Sequence, residues 1–369
     1  RDPLAALAAL ERARSLGSSP EEIRIQKALG PDTAVVEYGL LPDRLLIWIV
    51  TAEGIQSVER RMDRAKLEGL IESFRNEILR GDRPEQLSST LHDLLIPDLL
   101  QGKRSLCFIP DKALNQVPFA ALYNRRTRRF LVEDHTITLA PSLVYLQPDG
   151  KSSAPSSALL VADPEIDRSL FPTLSNLKGA RAEMKQVRSL FPSATFLQGE
   201  EATKAKLLDE LDRVDLFIFS GHAFSHASRP SLSHLAVAPS PATGEPGVLL
   251  AKDLAGRSFE KLRLVVLSAC TSVGPRSARS SGITGMARPF LQAGVRSVIG
   301  SLWNIEDRST QDFMRSFYQD VKTGISPAEA LRNAQVQALS DSERRWREIS
   351  SWGAFVAVDV ALPGKGANP

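Results

Sequence analysis

Two runs of consecutive apolar residues constrain this chain more than any other feature. Leu216-Phe217-Ile218-Phe219 and Leu264-Val265-Val266-Leu267 show no alternation of polar and apolar positions. A strand with one wet face alternates, whereas a strand without alternation is buried on both faces, as inside a parallel sheet flanked by helices. Each run ends in small residues and then a reactive group. Ser220-Gly221-His222-Ala223 follows the first run and Ser268-Ala269-Cys270-Thr271 the second. Reactive groups of parallel α/β sheets collect at the carboxyl ends of the strands. Adjacent strands lie about 5 Å apart, or about 10 Å with one strand between. Side chains can close that gap, so the sequence points to a cysteine–histidine dyad.

The rest of the chain fits such a sheet. Strands are expected at 33–38, 44–51, 54–59, 104–109, 158–162, 194–197, 215–220, 263–268 and 297–302. Helices are expected at 62–79, 86–100, 179–191, 202–211, 285–293, 310–322 and 327–339, from apolar spacing and capping residues. Residues 1–29 read as helix, broken near Gly17-Ser18-Ser19-Pro20. The Ser- and Pro-rich stretch from Lys151 to Ser157 is the best domain boundary. Strand and helix then alternate regularly, which implies a parallel sheet covered on both faces. Residues 1–30 are expected to be a helical remnant, 31–152 a first subdomain and 153–369 a second that carries the chemistry. The opening inside a helical pattern, with no initiator Met, reads as a cut from a longer chain.

Composition narrows the function. A formal charge of +3 over 369 residues is too small to argue for nucleic acid or a membrane surface. The densest basic run, Arg125-Arg126-Thr127-Arg128-Arg129, reads as a solvated turn between strands. No apolar run reaches the ~18–20 residues that span a bilayer. The two cysteines, Cys107 and Cys270, have no metal-like spacing and are too few for a disulfide framework, which suits a reducing cytoplasm. Cys107 lies within an apolar strand and reads as inert core. The chemistry proposed for Cys270 needs no metal or cofactor.

In the dyad, His222 takes the thiol proton of Cys270 or holds its thiolate, then protonates the leaving amine. The backbone N–H groups of Cys270 and Ala223 are the natural oxyanion donors. His226 and His234 are rivals for the base, but they are expected in a polar loop without rigid support. The stretch 223–262 is long enough to wall a substrate cleft.

The residues around the dyad resemble the His and Cys motifs of CHAT domains, caspase-like peptidases often joined to tetratricopeptide repeats. Further matching segments are Ile109-Pro110-Asp111-Lys112-Ala113-Leu114, Val117-Pro118-Phe119-Ala120-Ala121-Leu122 and Leu139-Ala140-Pro141-Ser142-Leu143. Later come Gly285 to Gly294, Gly300-Ser301-Leu302-Trp303 with Asp307 and Thr310, Pro327-Ala328-Glu329-Ala330-Leu331, Ala334-Gln335 and Trp352-Gly353-Ala354-Phe355. The resemblance runs in order over residues 85–357. It implies a three-layer α/β/α caspase-like fold with a mainly parallel central sheet, preceded by a catalytically silent caspase-like subdomain. It carries the dyad over as His222 and Cys270. It also implies a role in bacterial defence or regulated cell death, a protein substrate, and an activating partner or N-terminal sensor. Ala223 stands where caspases have Gly.

Specificity does not carry over, because the clan includes enzymes that cut after Asp, Arg, Lys and other residues. Recognition of a basic P1 residue needs a carboxylate in the S1 pocket, since burying the cation unpaired is costly. Asp163, Glu306 and Asp307 are the candidates, and they favour a basic P1. No strand-end Arg stands out as a partner for an acidic P1, with Arg181 and Arg308 the remaining alternatives. With a basic P1, Arg276 or Arg279 in the loop 273–282 is expected to be cut in cis. A silent scaffold of the same family is the alternative. A serine hydrolase is disfavoured because no Gly-x-Ser-x-Gly elbow occurs.

Overall fold

The computed structural model describes residues 7–8, 22–148, 152–226, 229–240, 242–268, 270–271, 284–303, 305, 307–339 and 349–362. They gather into two compact units, residues 1–151 with 335–369, and residues 152–334.

In the first unit, helix α1 (Glu22–Ala28) precedes a meander of β1 (Thr33–Leu40), β2 (Arg44–Thr51) and β3 (Gly54–Arg61), paired antiparallel. Helix α2 (Arg64–Arg80) starts where Asp63 accepts the Lys66 N–H and stops at Gly81, whose φ of 74° only glycine adopts without strain. Its Leu67, Ile71, Phe74 and Ile78 are buried, the face that the sequence spacing marks. Helix α3 (Glu85–Leu95) ends earlier than expected, because Pro97 pushes Ile96 into an extended conformation. Strands β4 (Ser105–Ile109) and β5 (Thr136–Leu139) add in parallel on the other side of β1. The basic run is the expected turn, joining the paired segments Tyr123–Asn124 and Arg129–Phe130.

The carboxyl-terminal residues depart from the expected division. Residues 335–369 belong with the first unit rather than with residues 153–334. The strand Phe355–Asp359 pairs with β5, placing Val358 opposite Leu139, and Ala361–Leu362 pairs with Gln147–Pro148. Buried Gln335 donates through Nε2 to the carbonyls of Trp352 and Phe355. Pairing between distant parts of the chain leaves no local trace in sequence.

The second unit carries the doubly buried strands. Strands β6 (Ala158–Pro164), β7 (Thr195–Gly199), β8 (Leu216–Ser220), β12 (Leu264–Leu267) and β14 (Ser297–Ser301) form a parallel sheet in the order β7-β6-β8-β12-β14. Every residue of β6, β8, β12 and β14 is buried, as sheets covered on both faces require. Helices α4 (Lys178–Leu190), α5 (Lys204–Leu211), α6 (Thr284–Gln292) and α7 (Asp307–Lys322) fall close to their expected ranges. A second, small sheet grows from the strand ends. It consists of β9 (His222–Phe224), β10 (His234–Ala236), β11 (Val248–Leu250) and β13 (Cys270–Thr271), in the order β11-β10-β9-β13.

Candidate active site

The two apolar runs are immediate neighbours. β8 and β12 pair in parallel from Leu216 opposite Leu264 to Phe219 opposite Leu267. The same register continues past both strand ends, setting His222 opposite Cys270 and Ala223 opposite Thr271. Neighbouring strands lie about 4.8 Å apart, so the backbones of His222 and Cys270 run side by side.

Gly221 lets the histidine strand leave the large sheet. A Cβ at this position would stand 2.6 Å from the Phe219 ring and 3.2 Å from Pro164. His222 then begins β9 and is half-buried. Its Nε2 lies 2.8 Å from the carbonyl oxygen of Ser175. A carbonyl only accepts, so Nε2 carries the proton of the neutral ring and Nδ1 keeps the lone pair. Sequence reasoning missed Ser175, since a backbone carbonyl leaves no mark on residue type.

Ser175 belongs to the segment 165–177, which is braced at several points. Asp167 accepts the Gly247 N–H at 3.1 Å, and the Ser169 N–H and hydroxyl at 3.0 and 2.6 Å. The Ser169 hydroxyl, then the Gly247 N–H, hold the Asp167 carboxyl below its usual range. Arg168 bonds the Leu174 carbonyl and Asn176 Oδ1. Phe171 stacks on Phe224, ring centroids 5.2 Å apart, beside the His222 strand.

Asp163, next to last in β6, has φ of 43°, a left-handed conformation rare outside glycine but tolerated by Asp. It is 2% exposed. Oδ1 accepts the Leu177 N–H at 2.8 Å, and Oδ2 accepts Nε of Arg181 at 2.7 Å. The carboxylate expected to await a basic substrate side chain is thus committed to a residue of the chain itself. Arg181 is the group that engages it.

The rival histidines have other contacts. His234 lies on β10, not in the loop expected for it, opposite Phe224. Its Nδ1 donates to the Leu232 carbonyl at 2.9 Å, and its ring stacks on Phe224 at 4.8 Å. Burial lowers its pKa. His226 accepts the Arg229 N–H at Nδ1 and donates its own N–H to Ser233. Ala223 sits within the ladder, with Leu235 on one side and Thr271 on the other. Asp307 is the first residue of α7. Glu306, Arg276 and Arg279 lie outside the described residues. Cys107 is 2% exposed and burial pushes its thiol up to about 12, which keeps it protonated and unreactive. Among the described residues no cluster of His, Cys, Asp and Glu is arranged to hold a metal, and no helix is long and apolar enough to cross a membrane.

Comparison with known proteins places the chain in a family and a fold. Tetratricopeptide repeat protein 28 of Mus musculus is 22% identical over 330 residues, covering 74% of this chain and 13% of that protein. Its Homo sapiens counterpart is 23% identical with the same coverage. The chain thus spans a small part of the curated relatives it matches. A crystal structure of the Saccharomyces cerevisiae separase–securin complex superposes with a TM-score of 0.54 at 12% identity, covering 92% of this chain and 31% of that one. That likeness establishes the caspase-like fold. The family model of the CHAT domain matches residues 85–359, and the chain belongs to the CHAT domain family.

Proposed function

We propose that this CHAT domain is a cysteine endopeptidase acting through His222 and Cys270 on a protein substrate. The observation that carries the reading is the register match of these two residues on adjacent parallel strands. The Ser175 contact leaves Nδ1 of His222 as the base. Nδ1 takes the thiol proton, and the thiolate attacks the scissile carbonyl carbon. Backbone N–H groups of Cys270 and Ala223 stabilise the oxyanion. The imidazolium returns the proton to the leaving amine, giving a thioacyl enzyme that water hydrolyses. Residues 31–152 are a silent caspase-like subdomain in this reading.

With Asp163 engaged by Arg181, a basic P1 residue would be held by Glu306 or Asp307. Cleavage in cis at Arg276 or Arg279 follows if P1 is basic. The separase match is a complex with securin, which supports control by a bound protein. The repeat-protein matches support an N-terminal sensor in the same chain. A cytoplasmic effector role in bacterial defence or regulated cell death rests on the CHAT resemblance alone.

A peptidyl acyloxymethyl ketone tests the reading. A mass adduct on Cys270, absent in Cys270→Ala and slowed in His222→Ala, is expected. No adduct on the wild-type chain, with no turnover of any peptide, overturns the peptidase and leaves the scaffold.

A further inference from the structure

We infer that Phe171 is a positioning residue: its stack on Phe224 keeps the Ser175 carbonyl on His222 and so holds the base of the dyad in its working orientation. The inference rests on the peptidase reading. It begins with the two faces of the small sheet. Along β9, Ala223 is buried while His222 and Phe224 are half-buried. On β10, Leu235 is buried opposite Ala223, and half-buried His234 stands opposite Phe224. Alternation with a period of two therefore puts His222, Phe224 and His234 together on the more open face.

Phe171 packs on that face. Its ring lies 5.2 Å from Phe224 and 4° from parallel with it, and 5.7 Å from His234 at 28°. Phe224 and His234 are 4.8 Å apart, so the three rings touch pairwise. The Phe171 backbone is set as well. Its N–H donates to the Asp167 carbonyl at 2.8 Å, and its own carbonyl accepts the Leu174 N–H at 3.4 Å.

Ser175 comes four residues after Phe171 and two before Leu177. Leu177 is anchored by its N–H on Asp163, and Phe171 by its ring on Phe224. The carbonyl that engages His222 thus hangs between two anchors. One of them stands on the histidine's own strand, two residues further on, so the segment follows that strand. Arg168, Ser169, Ser175 and Asn176 are exposed, and water competes for hydrogen bonds there. Stacked apolar rings have no such competitor. A hydrogen bond weakens steeply with angle, so a small drift of Ser175 frees Nε2. A ring freed in this way can carry its proton on Nδ1 instead, and that tautomer offers Cys270 no base at Nδ1.

Phe171→Ala and Phe224→Leu each remove the stack from one side. Each is expected to lower kcat for a cleaved peptide about tenfold with KM unchanged, the free-energy scale of one aromatic pair. Nitrogen-15 shifts should show Nδ1–H rings at His222 in both variants and not in the wild type. The double variant should lose no more than either single one, because the stack is already gone. Phe171→Tyr keeps the ring and should restore both readouts. If Phe171→Ala fails to fold, Phe224→Leu carries the same test. A role in stability alone would lower melting temperatures and leave the tautomer and the kcat of folded protein unchanged. That result, or additive losses in the double variant, overturns the inference while the peptidase stands. Absence of turnover of any peptide by the wild type, together with no labelling of Cys270, overturns both.

Discussion

Nε2 of His222 donates to the carbonyl oxygen of Ser175 across 2.8 Å, and this contact fixes which ring nitrogen is left to serve as the base in the proposed dyad. The neutral ring is therefore expected as the Nε2–H tautomer. Nitrogen-15 chemical shifts of the labelled imidazole report this directly. A Nδ1–H ring at neutral pH would remove Nδ1 as the base.

Gly221 is expected to be intolerant of any side chain. In Gly221→Ala the new Cβ meets the Phe219 ring at 2.6 Å, and Pro164 at 3.2 Å limits retreat. Overpacking of this kind costs about 1–3 kcal/mol. Cys270 labelling should slow as well, since β9 begins at the next residue. Phe219→Leu placed on Gly221→Ala removes the ring and should recover part of both losses. Thermal melts with labelling rates decide it; an unchanged Gly221→Ala protein sinks the steric argument.

Much of this geometry is legible in sequence, and the boundary has a physical cause. Leu216–Phe219 and Leu264–Leu267 announce themselves because burial on both faces removes every polar residue. The placement of His222 opposite Cys270 follows from them, since their register continues to these two residues. The segment 165–177 is not legible, because its decisive group is a carbonyl and its bracing is side chain to backbone. Strands of two or three residues, such as Cys270–Thr271 and His234–Ala236, are too short to show a period. Asp163 is legible as a carboxylate near a strand end, but its partner Arg181 is 18 residues on, in the next helix, and only folding brings the two together.

Stability is expected to fall with mild acid through His234. Burial beside Phe171 and Phe224 holds its folded pKa below the unfolded value of about 6.5, outweighing the Leu232 carbonyl, whose hydrogen bond favours the proton. The folded ring resists the proton that the unfolded chain accepts. The stabilisation is thus complete above about pH 6.5 and is lost as pH falls through the depressed folded value. His234→Phe keeps a ring in the stack and removes the titration. Urea midpoints should converge less steeply toward acid in that variant; an identical pH slope between 7 and 5 rules His234 out as the source.

Asp163 is expected to matter for folding in a way that separates its charge from its backbone conformation. Asn tolerates the φ of 43° and can still accept the Leu177 N–H, so Asp163→Asn loses only the ion pair. Arg181 is 43% exposed and recovers solvation, which limits that loss to about 1 kcal/mol. Asp163→Ala loses the Leu177 contact as well and places a less tolerant residue at positive φ, for about 2–3 kcal/mol in all. Because Leu177 lies two residues from Ser175, the Ala variant should also release the carbonyl that holds His222, and Cys270 labelling should drop more than in Asp163→Asn. Denaturant titrations give the first difference and labelling rates the second. Equal effects from Asn and Ala on both measurements would mean that the Leu177 contact carries neither.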